Sequence, residues 1–144
     1  VASRGHRAFS GYSLGAVETW YAFTDCLDCF QTFIPMSCDC WAVEEWGGAK
    51  DPEQTAQILA DAARASGYAP DGYDIYVAAG TDERADRFLT PQIEAMEEHA
   101  DVFVSGNTVA QGNLHYVIAT GASHSYEYGY DYLYDALPLY FPAQ

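Results

Sequence analysis

Apolar positions along this chain come in two rhythms that take turns. His6–Tyr12 (HRAFSGY), Gln31–Met36 (QTFIPM), Tyr73–Ala79 (YDIYVAA) and Asn113–Thr120 (NLHYVIAT) are short apolar runs bounded by Gly, Pro or polar residues, which predicts four strands. Between and after them the spacing becomes helical. Leu14–Thr24 places apolar side chains three and four apart. Asp51, Pro52 and Glu53 provide an N-cap, a first-turn proline and an early acid for a helix that continues through QTAQILADAARAS until Gly67 stops it. Thr90 and Pro91 start a further helix with Ile93 and Met96 facing inward, and Tyr126–Leu137 predicts an aromatic-rich last one. Gly80 closes the third strand. The order is β-α-β-α-β-α-β-α. Strands apolar on both sides, alternating with helices, predict an α/β fold: a parallel sheet of about four strands with helices on both faces. Residues 34–52, which carry Trp41 and Trp46, form the one long irregular connection. The chain shows no internal repeat and no low-complexity segment.

Composition narrows the class. At 144 residues and 49% hydrophobic, the chain can bury one core, so residues 1–144 are read as a single domain. Its 21 acidic residues against 6 basic ones give a formal net charge of −15, which repels phosphate backbones and anionic lipid. Nucleic acid and membrane surfaces are therefore excluded as expected partners, and the acidity reads as a solvated surface of the kind secreted proteins carry. Val1 is followed by neither a basic region nor an apolar one, so it opens no signal peptide, and the start looks trimmed. The cysteines, Cys26, Cys29, Cys38 and Cys40, fall within one short stretch. They read as disulfide partners or as buried thiols. Zinc is the third reading, since Cys26 and Cys29 have ligand spacing while Cys38 and Cys40 are set too close.

Parallel sheets carry function at the carboxyl ends of their strands, and the loops there hold the reactive side chains. After the first strand comes Gly11-Tyr12-Ser13-Leu14-Gly15, a G-x-S-x-G sequence in the strand-turn-helix setting of a nucleophile elbow. The turn requires glycines, and the helix that follows points its first amides at the serine oxygen. After the third strand come Asp82, Glu83 and Asp86, and after the fourth comes His124. Serine, acid, histidine is the chain order of α/β-hydrolases. A serine hydroxyl is a weak nucleophile until an imidazole takes its proton, and a carboxylate fixes that imidazole's tautomer. Each residue alone has a plainer reading: a turn serine, a helix-capping acid, a surface histidine. For His6, His99 and His115 the plainer reading holds.

The stretches HRAFSGYSLGAVETWYAF, FIPMSCDCW, AAGTDERADRFLTPQIEAM and HSYEYGYDYLYDALPLYF together resemble carbohydrate esterase family 1, which includes feruloyl and acetyl xylan esterases. The resemblance spans residues 3–141. It implies a secreted serine esterase acting through an acyl-enzyme on plant cell-wall polysaccharide esters, with Ser13 as nucleophile, His124 as base and Glu83 or its neighbour Asp82 as the orienting acid. In that reaction Leu14 N–H would donate to the oxyanion and no cofactor or metal is needed; Tyr12, Trp41 and Trp46 are candidates to line an aromatic acyl pocket, with core packing the commoner role for any one of them. Relatives carry further strands before the elbow, with the loop that donates a second oxyanion amide. The expectation is thus a partial α/β-hydrolase that pairs with an N-terminal segment or with its own copies. The rival readings are a non-catalytic remnant serving as a binding module and a Cys-dependent metal or redox protein.

Overall fold

In the computed structural model, which describes residues 3–142, the strands are β1 (Ala8–Tyr12), β2 (Thr32–Met36), β3 (Asp74–Gly80) and β4 (Leu114–Ala119). They form one parallel sheet in the order β1-β2-β3-β4, with Phe33 beside Ile75 and Ala78 beside Val117. The helices are α1 (Leu14–Asp25), α2 (Gly47–Lys50), α3 (Pro52–Ser66), α4 (Ala85–Glu97) and α5 (Tyr126–Tyr140). Each crossover steps one strand in the same direction, and right-handed connections of that kind stack their helices on one face. One cluster accordingly joins Trp20 and Phe23 of α1, Leu59 and Ala63 of α3, and Leu89, Ile93 and Met96 of α4 to Phe33, Ile75 and Val77 of the sheet. The strand residues of opposite parity, Ile34, Met36, Tyr76 and Ala78, meet Tyr132 and Ala136 of α5 on the other face. Each large apolar side chain buried this way contributes about 1.5–3 kcal/mol.

The alternation of elements and the two-sided helical cover agree with the sequence expectation. Only β2 and β3 are buried on both faces, however. β1 and β4 lie at the sheet edges, where Val117 and Ile118 stay exposed and Ser10 faces solvent. The α3 signals hold in detail: the Asp51 carboxylate accepts from Gln54 N at 3.3 Å and Gly67 closes the helix at φ 75°. Strand β1 begins two residues later than expected because Arg4–His6 form a 3-10 turn. Helix α4 begins at Ala85, not Thr90, and runs through Pro91. The reason is its buried face, Ala85, Leu89, Ile93 and Met96, whose helical spacing outweighs the amide hydrogen bond that Pro91 cannot donate. Pro138 is likewise carried inside α5. Residues 98–113 form a second long connection, anchored by Asn113, whose amide donates to Val102 O and whose side-chain oxygen accepts from Val104 N.

Candidate active site

The turn from β1 into α1 holds Ser13 at φ 59°, ψ −119°, a conformation that costs a non-glycine residue about 1–3 kcal/mol. Its surroundings hold it there: Ser13 N donates to Met36 O at 2.8 Å, and Ser13 O accepts from Ala16 N at 2.9 Å. Gly11 is required by close approach, because a Cβ there would sit 2.0 Å from Gly15 O. Gly15 itself is not, since its Cβ direction is open. The motif's two glycines therefore do different work: one side must lack a Cβ so that the other's backbone can pass. Leu14 follows as the first residue of α1, where an amide has no partner within the helix and points with the helix's positive end.

The loops after β3 and β4 are tied to each other. Asp82 N donates to Ala122 O at 3.0 Å, Gly121 N donates to the Thr81 hydroxyl at 2.8 Å, and a Cβ at Gly80 would meet Ala122 O at 2.1 Å. This lacing sets Glu83 against His124. His124 Nδ1 lies 2.8 Å from Glu83 Oε2, and His124 Nε2 lies 3.0 Å from Ser13 Oγ. A carboxylate only accepts, so Nδ1 carries the proton and Nε2 presents its lone pair to the serine hydroxyl. The Glu83 side chain is fully buried, whereas that of His124 is 46% exposed. Asp82, the other expected acid, is not brought to the imidazole; it is exposed, and its carboxylate accepts from the Thr81 hydroxyl. Asp86 is the second residue of α4, and its own backbone carbonyl faces the Tyr116 hydroxyl.

Sequence reading missed Ser37. It stands just past the end of β2 at φ 63°, its hydroxyl donates to Glu83 Oε1 at 2.7 Å, and Gly80 N donates to the same oxygen. The only signal was the Pro-Met-Ser stretch, which carries no chemistry by itself.

Tyr12 lies beside the imidazole, with ring centroids 4.9 Å apart, and its other side meets Tyr126 at 5.5 Å. Burial and the nearby Glu83 charge push the Tyr12 phenol up to about 12. It therefore stays neutral throughout the range below that value. Trp41 and Trp46 pack edge to face at 5.0 Å, Trp46 continues onto Phe88 at 4.7 Å, and the pair rests on Ala16, Val17 and Cys38 beside the first turns of α1. Their loop is pinned by Trp20 Nε1 to Cys38 O, by Cys40 N to the buried Gln92 side chain, and by Trp41 Nε1 to Asp39 Oδ1. A groove of about 640 Å³ between α3 and α4, lined by Pro52, Gln57, Pro91 and His99, contains none of these residues. Ser13, Glu83 and His124 lie in the loops that follow the carboxyl ends of β1, β3 and β4.

All four cysteines are free thiols, so the disulfide reading gives way to the buried-thiol one for Cys38 and Cys40. Those two face different surroundings, Cys38 beside Ala16 and Val17, Cys40 in the main core. Among the described residues no group of three or more His, Cys, Asp or Glu gathers as a metal site. The remaining histidines are placed apart: His6 on Ser3, His99 on Arg64, and His115 buried with its Nδ1–H donating to Gly106 O.

No family model matches the sequence. Endo-1,4-beta-xylanase Y of Acetivibrio thermocellus is 38% identical over 143 residues, 98% of this chain and 12% of that protein. Among solved structures, the feruloyl esterase module from Clostridium thermocellum complexed with sinapinate is 35% identical, with a TM-score of 0.82 over 98% of this chain and 47% of that one. S-formylglutathione hydrolase from Staphylococcus aureus shares the fold at a TM-score of 0.70 and 13% identity, over 97% of this chain and 56% of that one. The chain thus spans about half the length of these solved structures. Over almost all of its own length it is similar to the feruloyl esterase modules and shares their α/β-hydrolase-like fold.

Proposed function

We propose that this chain carries the nucleophile, base and orienting acid of a secreted serine carboxylic-ester hydrolase acting on plant cell-wall polysaccharide esters. The observation that carries the reading is the unbroken relay from Ser13 Oγ through His124 to the buried Glu83 carboxylate. The hydrolase order of the three residues and the likeness to feruloyl esterase modules support it from two further sides.

In this reading Ser13 Oγ attacks the ester carbonyl carbon while His124 Nε2 takes its proton, and Glu83 stabilises the imidazolium. Negative charge on the carbonyl oxygen meets Leu14 N–H and the positive end of α1. The bond from carbon to the alcohol oxygen then breaks as His124 returns the proton to that oxygen, which leaves the acyl group on Ser13. Water, deprotonated by His124, attacks the acyl carbon, and the acid departs as Ser13 regains its proton. The relay uses only side chains and a backbone amide of this chain. Tyr12, Trp41 and Trp46 are the aromatic surface that would receive an aromatic acyl group, and the xylan-degrading relative supports a xylan ester as the substrate class.

The test is hydrolysis of short aryl esters and of methyl ferulate by the native chain and by Ser13→Ala. The reading requires measurable turnover that vanishes in the variant without loss of folding. Equal rates in both would refute it, and a folded native chain inert toward every ester would favour the non-catalytic remnant.

A further inference from the structure

The acid of this relay is a glutamate, and its extra methylene adds a torsion that the His124 bond alone leaves free. The other carboxylate oxygen is held from two directions: by Gly80 N, in the glutamate's own loop, and by Ser37 Oγ, at the end of the neighbouring strand β2. Ser37 does this from the left-handed region, at φ 63°, where glycine or asparagine would rest more easily. Its backbone is fixed there by Ser37 N donating to Ala78 O at 2.8 Å. The serine is 4% exposed, so its hydroxyl has no solvent role.

We propose that Ser37 is the positioning residue of the site, a donor that fixes the Glu83 carboxylate so that Oε2 faces His124 Nδ1. It touches neither substrate nor the reacting atoms and acts only through Glu83. The clamp makes the longer acid serviceable: Gly80 N and Ser37 Oγ hold one oxygen, and the imidazole takes the other. Without Ser37 the carboxylate regains rotational freedom, and the imidazolium loses its fixed counter-charge for part of the time.

This inference rests on the esterase reading for its rates but not for its geometry, and the test separates the two. Ser37→Gly removes the hydroxyl and relaxes the backbone, so a merely structural role predicts a shifted melting temperature and no other change. The positioning role predicts instead that the His124 Nδ1–H proton, followed by NMR, loses its downfield, slowly exchanging resonance, because the Glu83 oxygen that accepts from it is no longer held in place. It also predicts phosphonylation of Ser13 by an aryl phosphonate about tenfold slower. Ser37→Asn, which restores a donor at a tolerated φ, should recover most of both. In a Glu83→Ala background, Ser37→Gly should add nothing. An unchanged His124 Nδ1–H resonance in Ser37→Gly, or full additivity with Glu83→Ala, would overturn the proposal. If Ser13→Ala is phosphonylated as fast as the native chain, the esterase reading falls while the NMR result still decides the role of Ser37.

Discussion

Glu83 marks the place where side-chain identity in the sequence was insufficient and geometry decided. Asp82, Glu83 and Asp86 all follow β3 within one turn, and nothing in their types ranks them. The structure brings only the Glu83 carboxylate to His124, at 2.8 Å. Glu83→Gln should therefore lower kcat on an aryl ester by about 10²- to 10⁴-fold, since an amide leaves the imidazole tautomer unfixed. Asp82→Asn should stay within a fewfold of native, and the reverse ranking in a side-by-side assay would move the acid to Asp82. Ser13 and His124 were legible because strand-turn-helix context and chain order constrain them. Ser37 was not legible, because a hydroxyl reaching a carboxylate 46 residues away leaves no local pattern. The cysteines show the same boundary: count and spacing left pairing open, whereas burial separates them. Cys38 and Cys40 are each pushed up to about 12, chiefly by desolvation of the thiolate. Their thiols are therefore protonated throughout the range below that value. At pH 8 an aromatic disulfide reagent should modify only the half-buried Cys26 and Cys29 in the native chain and all four after unfolding. Four fast-reacting thiols in the native chain would contradict the burial of the other two.

At the scale of elements, what the sequence carried well were α3 and the apolar centres of the strands. α3 has its own start and stop signals, and the strands have short runs bounded by turn residues. What it carried poorly were ends decided by packing, as at α4. There Pro91 read as a first-turn residue until the buried positions Ala85 and Leu89 showed the helix already under way. The β1–α1 turn makes a sharper prediction, because the motif treats its two glycines as equals and the structure does not. Gly11→Ala drives a methyl group into Gly15 O and should cost about 3 kcal/mol or more, the range reserved for severe strain. Gly15→Ala meets open space in the first turn of a helix and should be neutral or stabilise by up to about 1 kcal/mol. Chemical denaturation of both variants checks the contrast, and equal losses would contradict it.

Across the whole molecule, the alternation of strands and helices was readable, but the allocation of helices to faces was not. That allocation depends on strand order: three crossovers in one direction put α1, α3 and α4 together and leave the other face to α5 alone. Two consequences lie on the surface. Among the described residues the outer edge of β1 is unpaired, and α5 exposes Tyr126, Tyr130 and Tyr134 at 74%, 71% and 78%. Bare edges and apolar stripes recruit partners, so light scattering at tens of micromolar should return a mass above the 15.8 kDa of one chain, by pairing with another copy or with a supplied N-terminal segment. A compact monomer under both conditions would contradict this. Leu14 N–H is the proposed oxyanion donor of this chain, and one such donor is worth about 10²- to 10³-fold in kcat, so turnover reports on more than the relay. The central claim is therefore tested most directly by a reaction that needs the relay but not full turnover. A fluorophosphonate should add one phosphonyl group to the native chain, located at Ser13 by mass spectrometry, and the adduct should be absent in Ser13→Ala and strongly slowed in His124→Ala. A folded native chain that stays unlabelled, or one labelled equally well after Ser13→Ala, would contradict the account.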